Sequence, residues 1–110
     1  MKDRLLQIIN HYRVIPQLKY MQTEVFELNE SVIEREIHWN YDTEIQDIKP
    51  LDKHIAEEIA DITVMLKQFQ YYYGITDEEI IKVMKEKIDR QLERIKEGKW
   101  EVYMISGGNW

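Results

Sequence analysis

Apolar side chains recur at every third or fourth position over four long stretches of this chain, the spacing that gives an α-helix one apolar face. The pattern predicts helices at about residues 2–13, 17–37, 51–73 and 77–97. Four glycines and two prolines punctuate the chain, and none falls inside a periodic stretch. Pro16 and Pro50 suit the first turns of the second and third helices, where a missing backbone donor has no intrahelical partner to lose. Gly74 ends the third helix, and Gly98 closes the fourth. Thr76-Asp77-Glu78-Glu79 is a capping box at the start of the fourth. The connection from His38 to Pro50 is long enough for a functional loop, and the tail from Glu101 to Trp110 alternates only weakly. These elements imply an all-α, four-helix, bundle-like single domain over residues 1–98, with 99–110 as a tail open to three readings: a short strand, an arm on a neighbouring subunit, or a disordered end.

The polar residues inside the apolar stripes are more informative. On the third helix Ile55, Ile59, Ile62, Leu66, Phe69 and Tyr73 share a face, and Glu58 falls among them with Asp61 on its shoulder. The second helix repeats the anomaly. Its stripe is Leu18, Met21, Val25, Leu28 and Val32, with Glu24 between Met21 and Leu28 and Glu27 one step further out. If the two helices pack antiparallel through these faces, Glu24, Glu27, Glu58 and Asp61 converge at the edge of the core. A buried carboxylate without a counter-charge costs several kcal/mol, so such a cluster calls for compensation. Hard oxygen ligands select magnesium, with manganese as the alternative, over zinc or copper. An E-x-x-E spacing also arises by chance on any glutamate-rich helix, and Glu34, Glu36, Glu78 and Glu93 are assigned to solvated faces for that reason.

On the fourth helix the stripe runs Ile80, Met84, Ile88, Leu92 and Ile95, edged by Lys87, Arg90 and Arg94 at i, i+3 and i+7. That basic strip can grip phosphate oxygens, or it can simply complement the helix dipole and neighbouring acids.

Composition narrows the field. With 110 residues, 44% hydrophobic and 33% charged, the chain has the profile of one folded domain. It has no cysteine, which excludes a disulfide scaffold, a zinc ribbon and a thiol nucleophile. A net charge of −6 disfavours duplex nucleic acid, and the first residues lack the apolar run of a signal peptide or membrane span. A cytoplasmic protein with no membrane partner is expected.

Three segments together, Thr23 to Leu28, Glu57 to Ile62 and Lys87 to Ile95, resemble the MazG-like nucleotide pyrophosphohydrolases. The shared feature is an E-x-x-E pair on one helix, an E-x-x-D pair on the next and the basic Lys-Ile-Asp-Arg-Gln-Leu-Glu-Arg-Ile segment after them. The resemblance implies an all-α fold that assembles as a homodimer or homotetramer and hydrolyses nucleoside triphosphates to monophosphate and pyrophosphate with magnesium. Glu24, Glu27, Glu58 and Asp61 would then be the metal ligands and catalytic carboxylates, and Lys87, Arg90 and Arg94 would bind substrate phosphates.

Two rivals belong beside that expectation. A ferritin-like di-iron bundle needs Glu-x-x-His pairs, and none of His11, His38 or His54 has a glutamate three residues before it. His54 does share a face with Glu58 and Asp61, so a mixed histidine and carboxylate site is a minor alternative. The other rival is a non-catalytic helical interaction or oligomerisation module that uses Tyr71-Tyr72-Tyr73 and the tail as contacts. Trp39 and Tyr41 offer stacking surfaces for a base, or merely pin the loop.

Overall fold

The structure, a computed structural model, describes residues 1–41 and 49–98. It contains four helices in order: α1 (Lys2–Tyr12), α2 (Val14–Tyr41), α3 (Lys49–Tyr72) and α4 (Asp77–Lys96). The all-α prediction holds for the described residues. The chain divides into two compact units, Met1–Gly74 with the first three helices, and the segment from Ile75 onward with α4.

The predicted punctuation largely operates. Pro16 and Pro50 lie in the first turns of α2 and α3. Gly74 takes a left-handed φ of 70° after α3, where its N–H bonds the Tyr71 carbonyl at 3.1 Å. Thr76 caps α4, its hydroxyl oxygen accepting the Glu79 N–H at 3.1 Å. The break between α1 and α2 has no glycine. One residue, Arg13, makes the turn with φ 77° and ψ 160°, a region that side chains strain to occupy. Its N–H still donates to the Ile9 carbonyl at 2.8 Å, and its own carbonyl accepts from Gln17 at 3.2 Å, so neither backbone group is lost.

Within the first unit α2 and α3 run antiparallel. The start of α2 meets the end of α3 at Gln17 and Gln68, 2.8 Å apart, and the end of α2 meets the start of α3 through Arg35 and Asp52, also at 2.8 Å. The inward residues of α2 alternate by three and four: Val14, Gln17, Met21, Glu24, Leu28, Ser31, Arg35. Those of α3 are Leu51, Ile55, Glu58, Ile62, Met65 and Gln68. This is a heptad seam of the kind two supercoiling helices share. α1 packs against both helices and contributes Leu5 and Ile9.

The seam corrects the expected core. Met21, Leu28, Ile55 and Ile62 face inward as expected, but Leu18, Val25 and Val32 on α2, Ile59 and Leu66 on α3, and Tyr73 just past its end are exposed. The helices are turned so that Gln17, Glu24, Ser31, Glu58 and Gln68 take the inner places. Periodicity finds the width of an apolar stripe, but the partner decides which part of it is covered. On α4 none of the residues is buried, and Met84, Ile88, Leu92 and Ile95 are exposed. The predicted connection is also shorter than 38–50, because α2 continues to Tyr41 and α3 begins at Lys49. The side chains of Trp39 and Tyr41, and the tail 99–110, lie outside the described residues.

Candidate metal centre

Midway along the α2–α3 seam, Glu24 and Glu58 are each only 6% exposed. Helical geometry puts them there. Glu24 stands seven residues after Gln17 and seven before Ser31, all three buried, while Glu58 stands seven before Met65. Asp61, three residues after Glu58 and so on an adjoining face of the helix, is exposed at the rim. One carboxylate oxygen from each of Glu24, Glu58 and Asp61 lies within 4.8 Å of the other two. Oxygens around a magnesium ion sit roughly 3 to 4 Å apart, given metal–oxygen distances of about 2.1 Å, so a small closure of these side chains would seat one.

Hydrogen bonding identifies what the site lacks. Oε2 of Glu24 and Oε2 of Glu58 are both buried and have no hydrogen-bond partner. Buried carboxylate oxygens without a partner are costly to desolvate. The donor set is all oxygen, which fits a hard divalent cation and gives a soft metal no reason to prefer it.

Glu27 is exposed and outside the set of three, yet it feels the cluster. Its carboxyl is held above the usual glutamate range, first by the negative charge of Glu24, then by desolvation and by Glu58. Of the four predicted acids the structure brings three, Glu24, Glu58 and Asp61, into one group, while Glu27 stands outside it and feels its charge.

Two residues surround them. Tyr20, one turn before Glu24, has its phenol raised, chiefly by hydrogen bonding to Glu24 and by the charge of that carboxylate. The i, i+4 spacing from Tyr20 to Glu24 is the sequence signal for this neighbour. His54 places Nε2 3.3 Å from Oε1 of Glu58 and Nδ1 3.9 Å from Oε2 of Glu57. It is therefore a neighbour of the three-carboxylate set without belonging to it.

The other acids assigned to solvent, Glu34, Glu36, Glu78 and Glu93, are all exposed. Of the basic strip on α4, Lys87 and Arg90 are exposed and Arg94 is half-buried. No described helix is long and apolar enough to cross a membrane. Compared with models of known families, with curated proteins and with solved structures, the chain matches none.

Proposed function

We propose that this chain is a magnesium-dependent nucleoside triphosphate pyrophosphohydrolase of the MazG-like kind, cytoplasmic and active as a homodimer or homotetramer. A single observation carries the reading: Glu24, Glu58 and Asp61 offer oxygens within 4.8 Å of one another, and two of the contributing residues keep a buried carboxylate oxygen with no partner. A packed helical seam has no use for such an arrangement unless something positive completes it. The E-x-x-E and E-x-x-D pairs and the basic segment Lys87 to Ile95 supply the link to nucleotides through the resemblance they carry.

In this reading Glu24, Glu58 and Asp61 hold the cation, which supplies positive charge beside the phosphoryl oxygens when bound. Glu27, outside the set of three, is the carboxylate left to orient the attacking water and take its proton. Lys87, Arg90 and Arg94 bind the triphosphate, the arginines in bidentate fashion. The half-dry seam excludes bulk water behind the reacting phosphate, since Glu24 and Glu58 seal that side.

The test is to incubate the protein with each common nucleoside triphosphate and magnesium, and to follow release of monophosphate and pyrophosphate. Equal release of both is expected from at least one nucleotide. Glu58→Gln is expected to lose more than the roughly 10- to 100-fold that removal of a residue supporting a metal ligand costs. Absence of turnover with every nucleotide, or turnover unchanged in Glu58→Gln, sinks the proposal.

A further inference from the structure

Each buried glutamate of the centre has a side chain able to donate a hydrogen bond four residues before it, one helical turn away on its own face. His54 precedes Glu58 by four residues and sets Nε2 3.3 Å from its Oε1, while Oε2 of the same carboxylate is buried and has no partner. Tyr20 precedes Glu24 by four residues and so lies one turn before it on the same face of α2, and Glu24 too keeps a buried Oε2 with no partner. Both outer residues are about half exposed, at 55%, and neither belongs to the set of oxygens within 4.8 Å. A carboxylate on a glutamate side chain turns freely about its last torsion, which is broad and roughly two-fold. A donor fixed on one oxygen stops that rotation and directs the other.

We propose that His54, with Tyr20 as its counterpart on α2, is a positioning residue of the metal centre: each holds the outer part of a glutamate so that the buried Oε2 faces the cation. The inference rests on the metal-binding reading above and goes beyond it, because the resemblance to the MazG-like family that carries that reading gives neither residue a role. The energetic logic is ordinary. Residues that orient ligands and restrict their motion reduce the ordering cost of binding, and losing one typically weakens a metal site by 10- to 100-fold.

The experiment measures manganese binding to the full chain by electron paramagnetic resonance titration at about pH 8. The variants are His54→Ala, His54→Gln, Tyr20→Phe and Glu58→Gln, with helix content checked by circular dichroism. His54→Ala and Tyr20→Phe are expected to bind manganese roughly 10- to 100-fold more weakly with helix content unchanged. His54→Gln, which keeps an N–H at the end of the side chain, is expected to recover most of the affinity, and Glu58→Gln to abolish binding. Wild-type affinity in His54→Ala and Tyr20→Phe, with Glu58→Gln silent, overturns the positioning role and leaves the centre standing. Equal loss in His54→Ala and His54→Gln also overturns it, since only a donor's function should be rescued. A directly coordinated nitrogen seen in pulsed spectra of the wild type makes His54 a ligand and likewise ends the proposal. If the wild type binds no manganese, the centre itself fails and this inference falls with it.

Discussion

A carboxylate beside another carboxylate resists losing its proton, and at Glu27 this has a consequence for stability. Its carboxyl is raised first by Glu24, then by desolvation and Glu58, with no cation beside it. A folded-state pKa above the unfolded value means that the folded chain keeps a proton the unfolded chain has released. The stabilising contribution is therefore present at acidic pH and is lost as pH rises through the raised carboxylate range. In a chelator, the urea midpoint of the protein is expected to fall from this source as pH climbs from the usual glutamate range toward neutrality. Saturating magnesium is expected to flatten that slope, because a bound cation favours the ionised forms of Glu24, Glu58, Asp61 and Glu27 together. A set of urea titrations across pH, with and without magnesium, reads the difference directly. A slope identical in the two conditions would mean that magnesium does not act on these acids.

At the scale of elements, the seam between α2 and α3 is held in register by polar pairs at its ends. Gln17 donates to Gln68 at 2.8 Å, and both amides contact the Met65 sulfur, at 3.9 and 3.7 Å. Gln68 is 1% exposed and Gln17 7%. At the other end Arg35 bonds Asp52 at 2.8 Å, and Asp52 raises the guanidinium pKa further by accepting that hydrogen bond. A buried amide stripped of its partner costs about 1–3 kcal/mol, whereas replacing both partners with apolar groups is close to neutral. Gln68→Leu alone is thus expected to destabilise the protein by about that amount, and Gln17→Leu with Gln68→Leu to recover much of it. Chemical denaturation of the double-mutant cycle checks this. Additive losses would show that the two amides do not act as a pair. The same region shows what the chain reveals by itself. Pro16, Pro50, Gly74 and Thr76 mark helix ends because each has a local backbone cause, and the structure follows them. Glu24 and Glu58 stand out because a carboxylate between apolar neighbours is costly whichever way the helix turns. The inward placement of Gln17, Ser31 and Gln68 was not legible, because whether Leu18, Val25 and Val32 or their polar neighbours are covered depends on the partner helix and not on the stripe. The break at Arg13 was not legible either, since nothing about an arginine announces a left-handed φ.

For the whole chain, the oddity is how little apolar surface is hidden. Leu5, Ile9 and Met65 are the buried hydrophobic residues among those described, while large apolar side chains stand exposed on every helix. On α2 Leu18, Val25 and Val32 repeat at seven-residue intervals beside Phe26 and Ile33, and Ile59 and Leu66 on α3, with Tyr73 just past its end, repeat at the same interval. On α4 Ile81, Met84, Ile88, Leu92 and Ile95 are each at least half exposed. Contiguous apolar rows of this kind are suited to an interaction surface. A second copy of the chain is the occupant that fits the homo-oligomer proposed above: a heptad-spaced row is what a like helix packs against, and in a symmetric dimer the same row serves both partners. The net charge of −6 opposes association only at long range and is screened at physiological salt, where the Debye length is about 8 Å. Sedimentation equilibrium is expected to report a dimer or tetramer. Ile33→Asp and Leu66→Asp each alter a side chain that is 49% and 52% exposed, respectively, within a single chain. Neither is therefore expected to unfold its own helix, yet each would place a charge in an apolar interface at a cost of several kcal/mol. Both are expected to shift the equilibrium toward monomer by more than about 100-fold in dissociation constant, which 1.4 kcal/mol per decade converts from about 3 kcal/mol. A wild type that sediments as a monomer at high concentration would leave these rows to a different partner, and with it the non-catalytic interaction module would gain what the oligomer lost.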